Sequence, residues 1–228
     1  MKYLMLMLSM PLWAGNMDVT SAAAYGDSYG LRVIVNDAEP VYVRDNLAIS
    51  ESSYRARVYF NPTSLILPIG AALDVIVGRN ATEIPVFTLA LRRDNAGKYL
   101  DIHVREQSDP KRAVTHSVPV TDQWHALEWL WQADTAGTFE LWLNGELVWS
   151  QRDINNFGEG VASLSMGAVD GIDGGTAGFL DWDNFMSQRT CFIGSDGCDA
   201  HCMLMNVTAT WPDTAVDTLV RQVDRVCP

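Results

Sequence analysis

Positive charge is scarce in this chain. It carries 16 Lys and Arg against 28 Asp and Glu, a formal net charge of −12. Nucleic-acid-binding domains show a basic face, and adsorption to anionic membranes needs clustered cations, so the balance argues against both partners. Long apolar runs are equally rare. Beyond the first fourteen residues no stretch is long and apolar enough for a transmembrane helix. No cysteine precedes Cys191, and no amphipathic helical period appears before residue 210. Tandem repeats and low-complexity tracts are absent. What remains is 228 residues of largely alternating sequence, enough for one large β domain that buries about 70% of its unfolded surface. A core of that size needs no crosslinks.

Met1–Ala14 (MKYLMLMLSMPLWA) opens with Lys2, runs apolar, and gives way to Gly15-Asn16-Met17-Asp18. That is the pattern of a secretory signal peptide, cleaved near Ala14 or Gly15. It places the protein outside the cell or on its surface. The four cysteines, Cys191, Cys198, Cys202 and Cys227, then suggest two disulfides in an oxidising compartment, with three pairings open. A zinc site from Cys191, Cys198, His201 and Cys202 is the alternative, and secretion favours disulfides over it. Pro212 opens a short helix on which Val216, Leu219, Val220, Val223 and Val226 recur at helical spacing. The expected organisation is a signal peptide over 1–14, a β-sandwich over 15–190 and a Cys-rich helical tail over 191–228.

The most informative stretch is Gln123–Ser150. Leu127, Trp129 and Trp131 share one face of an alternating run, and Trp124, Ala126, Glu128 and Leu130 share the other. Phe139, Leu141 and Leu143 alternate with Glu140, Trp142 and Asn144. Period two with aromatic and branched residues means strands. Asn144-Gly145 between them is a hairpin signal, because a type I′ turn needs two residues that tolerate positive φ. This meander is expected at the centre of an antiparallel sandwich. Further strands are read at 31–36, 41–44, 52–60, 73–77, 85–92, 99–105, 117–120, 161–168 and 179–186, roughly a dozen in all with the meander, at a spacing usual for sandwiches. On 52–60, Tyr54, Ala56, Val58 and Phe60 oppose Arg55, Arg57 and Tyr59; on 99–105, Leu100, Ile102 and Val104 oppose Tyr99, Asp101, His103 and Arg105.

Sugar rings stack on aromatic side chains that face solvent among polar neighbours. Trp142, on the more polar face of its strand, is the leading candidate, with Tyr59, Asp101 and His103 from the polar faces of two other strands. Most of the remaining tryptophans are expected in the core. Asp170, Asp173, Asp181 and Asp183, beside glycine-rich turns, supply the hard oxygens that calcium needs, without EF-hand spacing. Asn80-Ala81-Thr82 and Asn206-Val207-Thr208 are glycosylation sequons, relevant only in a eukaryotic secretory pathway.

Trp124-His125-x-Leu127 with Trp129, then Phe139–Leu143 with Asn144-Gly145, resembles the laminin-G-like and concanavalin-A-like jelly-roll domains. Gly178–Phe185 (GFLDWDNF) is similar to the last core strand of secreted bacterial members. The resemblance covers about residues 25–188. It implies a jelly-roll sandwich that binds glycans or surface polymers, often with calcium, and some such relatives cleave polysaccharides. Glucanases of this type use a Glu-x-Asp-x-x-Glu string to pair nucleophile and acid, and none occurs here. Lyases on the scaffold bind uronate through arginine, with histidine and tyrosine as base and acid; Arg55, Arg57, His103 and Tyr99 are the residues such a reading enlists. The expectation is therefore noncatalytic recognition of a glycan or extracellular polymer. Polysaccharide cleavage and a structural role in a surface assembly are the alternatives.

Overall fold

The computed structural model describes residues 17–26, 28–106, 113–189, 191–194 and 207–210. The segments read as a signal peptide and as a C-terminal helix, the second sequon's asparagine and three of the four cysteines lie outside them. Among the described residues fifteen strands follow one another: β1 (Met17–Thr20), β2 (Gly30–Val35), β3 (Val41–Glu51), β4 (Ser53–Asn61), β5 (Leu65–Ile66), β6 (Ala72–Arg79), β7 (Pro85–Arg93), β8 (Lys98–Arg105), β9 (Ala113–Val120), β10 (His125–Gln132), β11 (Gly137–Leu143), β12 (Glu146–Ile154), β13 (Val161–Asp170), β14 (Ala177–Gln188) and β15 (Val207–Thr210). Among the described residues there is no α-helix, only a single 3-10 turn at Ser21–Ala23.

Two antiparallel sheets pack face to face. One runs β1-β2-β14-β4-β10-β11-β12, with β5 also paired to β14; the other runs β15-β3-β13-β6-β7-β8-β9. The side chains read as apolar by alternation are the ones that meet between them. Tyr54, Ala56, Phe60, Leu127, Trp129 and Trp131 of the first sheet and Leu100, Ile102 and Val104 of the second are all fully buried. Phe87 on β7 reaches across to Trp129, Trp131 and Phe139, with ring centroids 6.2, 6.0 and 5.5 Å away. Each such ring contributes roughly 1.5–3 kcal/mol on burial. Gly78 on the neighbouring strand makes room for it: a Cβ there would lie 2.3 Å from Phe87 Cε1.

The hairpin signal is realised as read. Asn144 has φ +54° and Gly145 φ +85°, the two positive values of a type I′ turn, and they join β11 to β12. The placement of the meander differs from expectation. β10, β11 and β12 form one side of their sheet, out to its edge, while β14 and β4 occupy the middle. Sequence neighbours make hairpins, but position in a sheet is decided by the long-range pairings β4–β10 and β14–β4. β3 and β12 are also longer than their sequence signals, because each finds partners at both ends across an irregularity in its register.

Candidate functional site

The outer face of the first sheet is where chemistry-bearing side chains gather. Alternation on β4 turns Arg55, Arg57 and Tyr59 outward while Tyr54, Ala56, Val58 and Phe60 fill the core. Register then sets Ala126 beside Tyr59, Glu128 beside Arg57, and Trp142 of β11 beside Glu128. On the other flank, β14 sets Asp183 beside Tyr59. Together with residues before β2 and after β14, this face forms an open cleft of about 630 Å³.

Aromatic rings build one end of the cleft. Tyr25 stacks on Tyr59 with centroids 4.0 Å apart and planes at 17°, and Trp124 leans on Tyr25 at 5.5 Å. Tyr25 is half exposed and is held there by its backbone: its N–H and that of Gly26 donate to Asp183 Oδ2 at 2.6 and 3.4 Å. Arg57 lies over the Tyr59 ring, 5.1 Å from its centre. The lip is Asn144-Gly145. Asn144 Oδ1 accepts the Ala126 N–H at 3.0 Å, and its amide nitrogen sits 3.2 Å from His125 Nδ1. The other ring nitrogen of buried His125 faces Thr121.

Charge and a short strap build the other end. Glu128 is 3% exposed. Its carboxylate accepts Arg55 Nη1 at 2.8 Å, Ile193 N–H at 2.9 Å and Gly194 N–H at 2.9 Å. Arg57 Nη1 donates to the Gly194 carbonyl. Phe192 packs on Trp142 at 5.4 Å, and the Arg55 guanidinium lies 4.5 Å from the Trp142 ring centre. Each of these charged groups has a polar partner: Arg55 and Glu128 have each other, Arg57 a carbonyl, and Asp183 two amides. A carboxylate with that many donors is fixed in place.

The residues enlisted from sequence divide between two faces. Tyr59, Arg55, Arg57 and Trp142 belong to this site. Tyr99, Asp101 and His103 sit on β8 in the opposite sheet, where Asp101 takes Arg92 Nε and Ser117 Oγ, each at 2.6 Å, and Tyr99 carries Arg92 over its ring. The Arg–His–Tyr grouping is therefore not brought together. Alternation reveals which face of a strand is polar but not which sheet the strand joins. The four aspartates considered for calcium each accept hydrogen bonds from the protein. Asp181 forms a two-point pair with Arg32 (2.8 and 3.0 Å), and its hydrogen bond lifts the Arg32 pKa further. Asp183 holds Tyr25, and Asp170 and Asp173 accept backbone N–H groups of their own turns. Among the described residues no three His, Cys, Asp or Glu side chains converge as a metal site. Of the cysteine set, Cys191 alone is described, its Sγ 2.9 Å from Gln188 Oε1. Tyr25 and the Phe192–Gly194 strap lack any periodic signal, so sequence reading passed them by.

Neither a family model nor a curated protein matches the sequence. Solved structures do resemble it. The endo-β-1,4-glucuronan lyase of the fungus Trichoderma reesei superposes with a TM-score of 0.58 at 11% identity, over 76% of this chain and 87% of its own. The cellulose induced protein Cip1 gives 0.57 at 14%, over 78% and 87%. The heptameric SAP-like pentraxin of Limulus polyphemus gives 0.52 at 10%, over 82% and 92%. What they share with this chain is the jelly-roll sandwich fold. At these identities the likeness carries nothing about ligand or reaction.

Proposed function

We propose that the chain is a noncatalytic, exported carbohydrate-binding module and that the cleft over β4 and β10 receives the glycan. The observation that carries this reading is the Tyr25–Tyr59–Trp124 platform, with two rings stacked and a third beside them, at the open end of the cleft. Flat apolar sugar faces stack on such rings, and hydroxyls find the polar rim of Asn144 and Gly145. The partnered charged groups around the platform support recognition of a neutral glycan. Trp124→Ala and Tyr25→Ala should each weaken binding by about tenfold, roughly 1.4 kcal/mol, on a glycan array followed by calorimetry. An array on which no glycan binds, with or without calcium, would overturn the reading.

Cleavage of a uronate polymer is a second reading, favoured by Arg57 and Tyr59 standing together in the cleft. It asks for a base beside them, and no histidine lines the cleft among the described residues. New ultraviolet absorbance from an unsaturated product, on incubation with glucuronan or alginate, would establish it.

A further inference from the structure

Phe192–Gly194 crosses the sheet face without joining either sheet's ladder. Its described contacts with the floor run through side chains of β4, β10 and β11. Those contacts have the form of a sugar's. One carboxylate, Glu128, accepts two adjacent donors, the N–H groups of Ile193 and Gly194, as it would the two hydroxyls of a vicinal diol. Arg57 donates to the Gly194 carbonyl, as it would to a ring or hydroxyl oxygen. An aromatic ring, Phe192, packs on Trp142 at 5.4 Å with planes tilted by 55°, in the place a pyranose would take. Beneath the strap lie Arg57 and Glu128, which are 5% and 3% exposed, buried to a degree that charged groups on an outer sheet face reach only when something covers them. The strap also forms a wall of the cleft whose other end is the Tyr25–Tyr59 platform. Arg57 is two residues from Tyr59 on β4, one pleat or about 7 Å along the strand, which suits the next ring of a chain lying on that platform.

Resting on the carbohydrate reading of the cleft, we infer that Phe192–Gly194 is an internal occupant of a second sugar subsite, and that a long oligosaccharide displaces it to place a vicinal diol on Glu128. Short oligosaccharides use the platform alone. Longer ones must first lift the strap, so native affinity should rise little with length.

The test uses the full chain and length series, from two to six residues, of cello-, xylo-, manno- and glucurono-oligosaccharides. In the double variant Phe192→Ser, Ile193→Pro, the ratio of hexasaccharide to disaccharide affinity should rise roughly tenfold over native, equivalent to about 1.4 kcal/mol. Adding Glu128→Gln should return it to the native ratio. In the native protein, saturating hexasaccharide should remove hydrogen-exchange protection from the Ile193 and Gly194 amides while disaccharide leaves it, a readout that does not depend on how the double variant folds. Binding by both proteins with an unchanged ratio, or strap amides that stay protected under hexasaccharide, overturns the subsite and leaves the platform reading intact. If neither protein binds any member of the four series, the platform reading falls and the subsite falls with it.

Discussion

Glu128→Ala probes the centre of the site. The substitution removes a carboxylate that pairs with Arg55 and accepts two strap amides. Breaking a fully buried ion pair costs about 3–5 kcal/mol, because the surviving charge is stranded. Here the Arg55 side chain retains 12% exposure and still lies over Trp142, so part of its charge stays solvated. The strap can also lift and give its amides to water rather than leave them orphaned. Both reliefs lower the expected loss to about 2–3 kcal/mol. In a chain of this length that is a Tm decrease of about 4–12 °C. Thermal and urea unfolding of Glu128→Ala, Arg55→Ala and the double variant would yield the coupling between the two. Hydrogen exchange should show the Ile193 and Gly194 amides losing protection in Glu128→Ala and retaining most of it in Arg55→Ala. A loss under about 0.5 kcal/mol, the level of an exposed surface pair, together with unchanged protection of those amides, would refute the account of Glu128 as the anchor of both arginine and strap.

Gly78→Ala should destabilise by about 2 kcal/mol through overpacking, since the new methyl meets Phe87 and that ring is confined by Trp129, Trp131 and Phe139; combining it with Phe87→Leu should recover part of the loss in urea melts. Asp74 is half-buried, and burial, then the charge of Asp170 opposite it, raises its carboxyl above the usual 3.8. The folded chain therefore holds that proton more tightly than the unfolded one, so this group's stabilisation is complete below 3.8 and is lost as pH rises through the folded value; Asp74→Asn should raise Tm near neutral pH and leave it unchanged in strong acid. Asn80 is 8% exposed and its amide donates to Glu159 at 2.6 Å, so the folded protein recovered from a eukaryotic secretory host should carry no glycan there, and a glycosylated Asn80 peptide in mass spectrometry would contradict the turn's geometry.

Much of the fold was legible because strands announce themselves locally. Alternation over 52–60 and 124–132 grouped together the side chains that fill the core, since the pleat leaves each side chain only two directions. The Asn144-Gly145 turn was equally local. Trp142 and Tyr59 were assigned to solvent-side faces for the same reason, and both line up on the sheet that carries the cleft. His103 and Tyr99 show where that reasoning stops. Their strand alternates as cleanly as β4 does, yet it joins the opposite sheet. The strap was illegible because Phe192-Ile193-Gly194 has no period and draws its place from Glu128, 64 positions or more away.

The amino-acid order by itself determined an all-β chain, the inward and outward sets of each strand, and the site of its tightest hairpin, because those depend on a residue and its near neighbours. Only the tertiary structure decided which strands became neighbours, that the tryptophan-rich ribbons run to an edge, and that one face combines aromatic platform, partnered charged groups and strap. Those outcomes depend on pairings between distant segments, whose free energies no local pattern records.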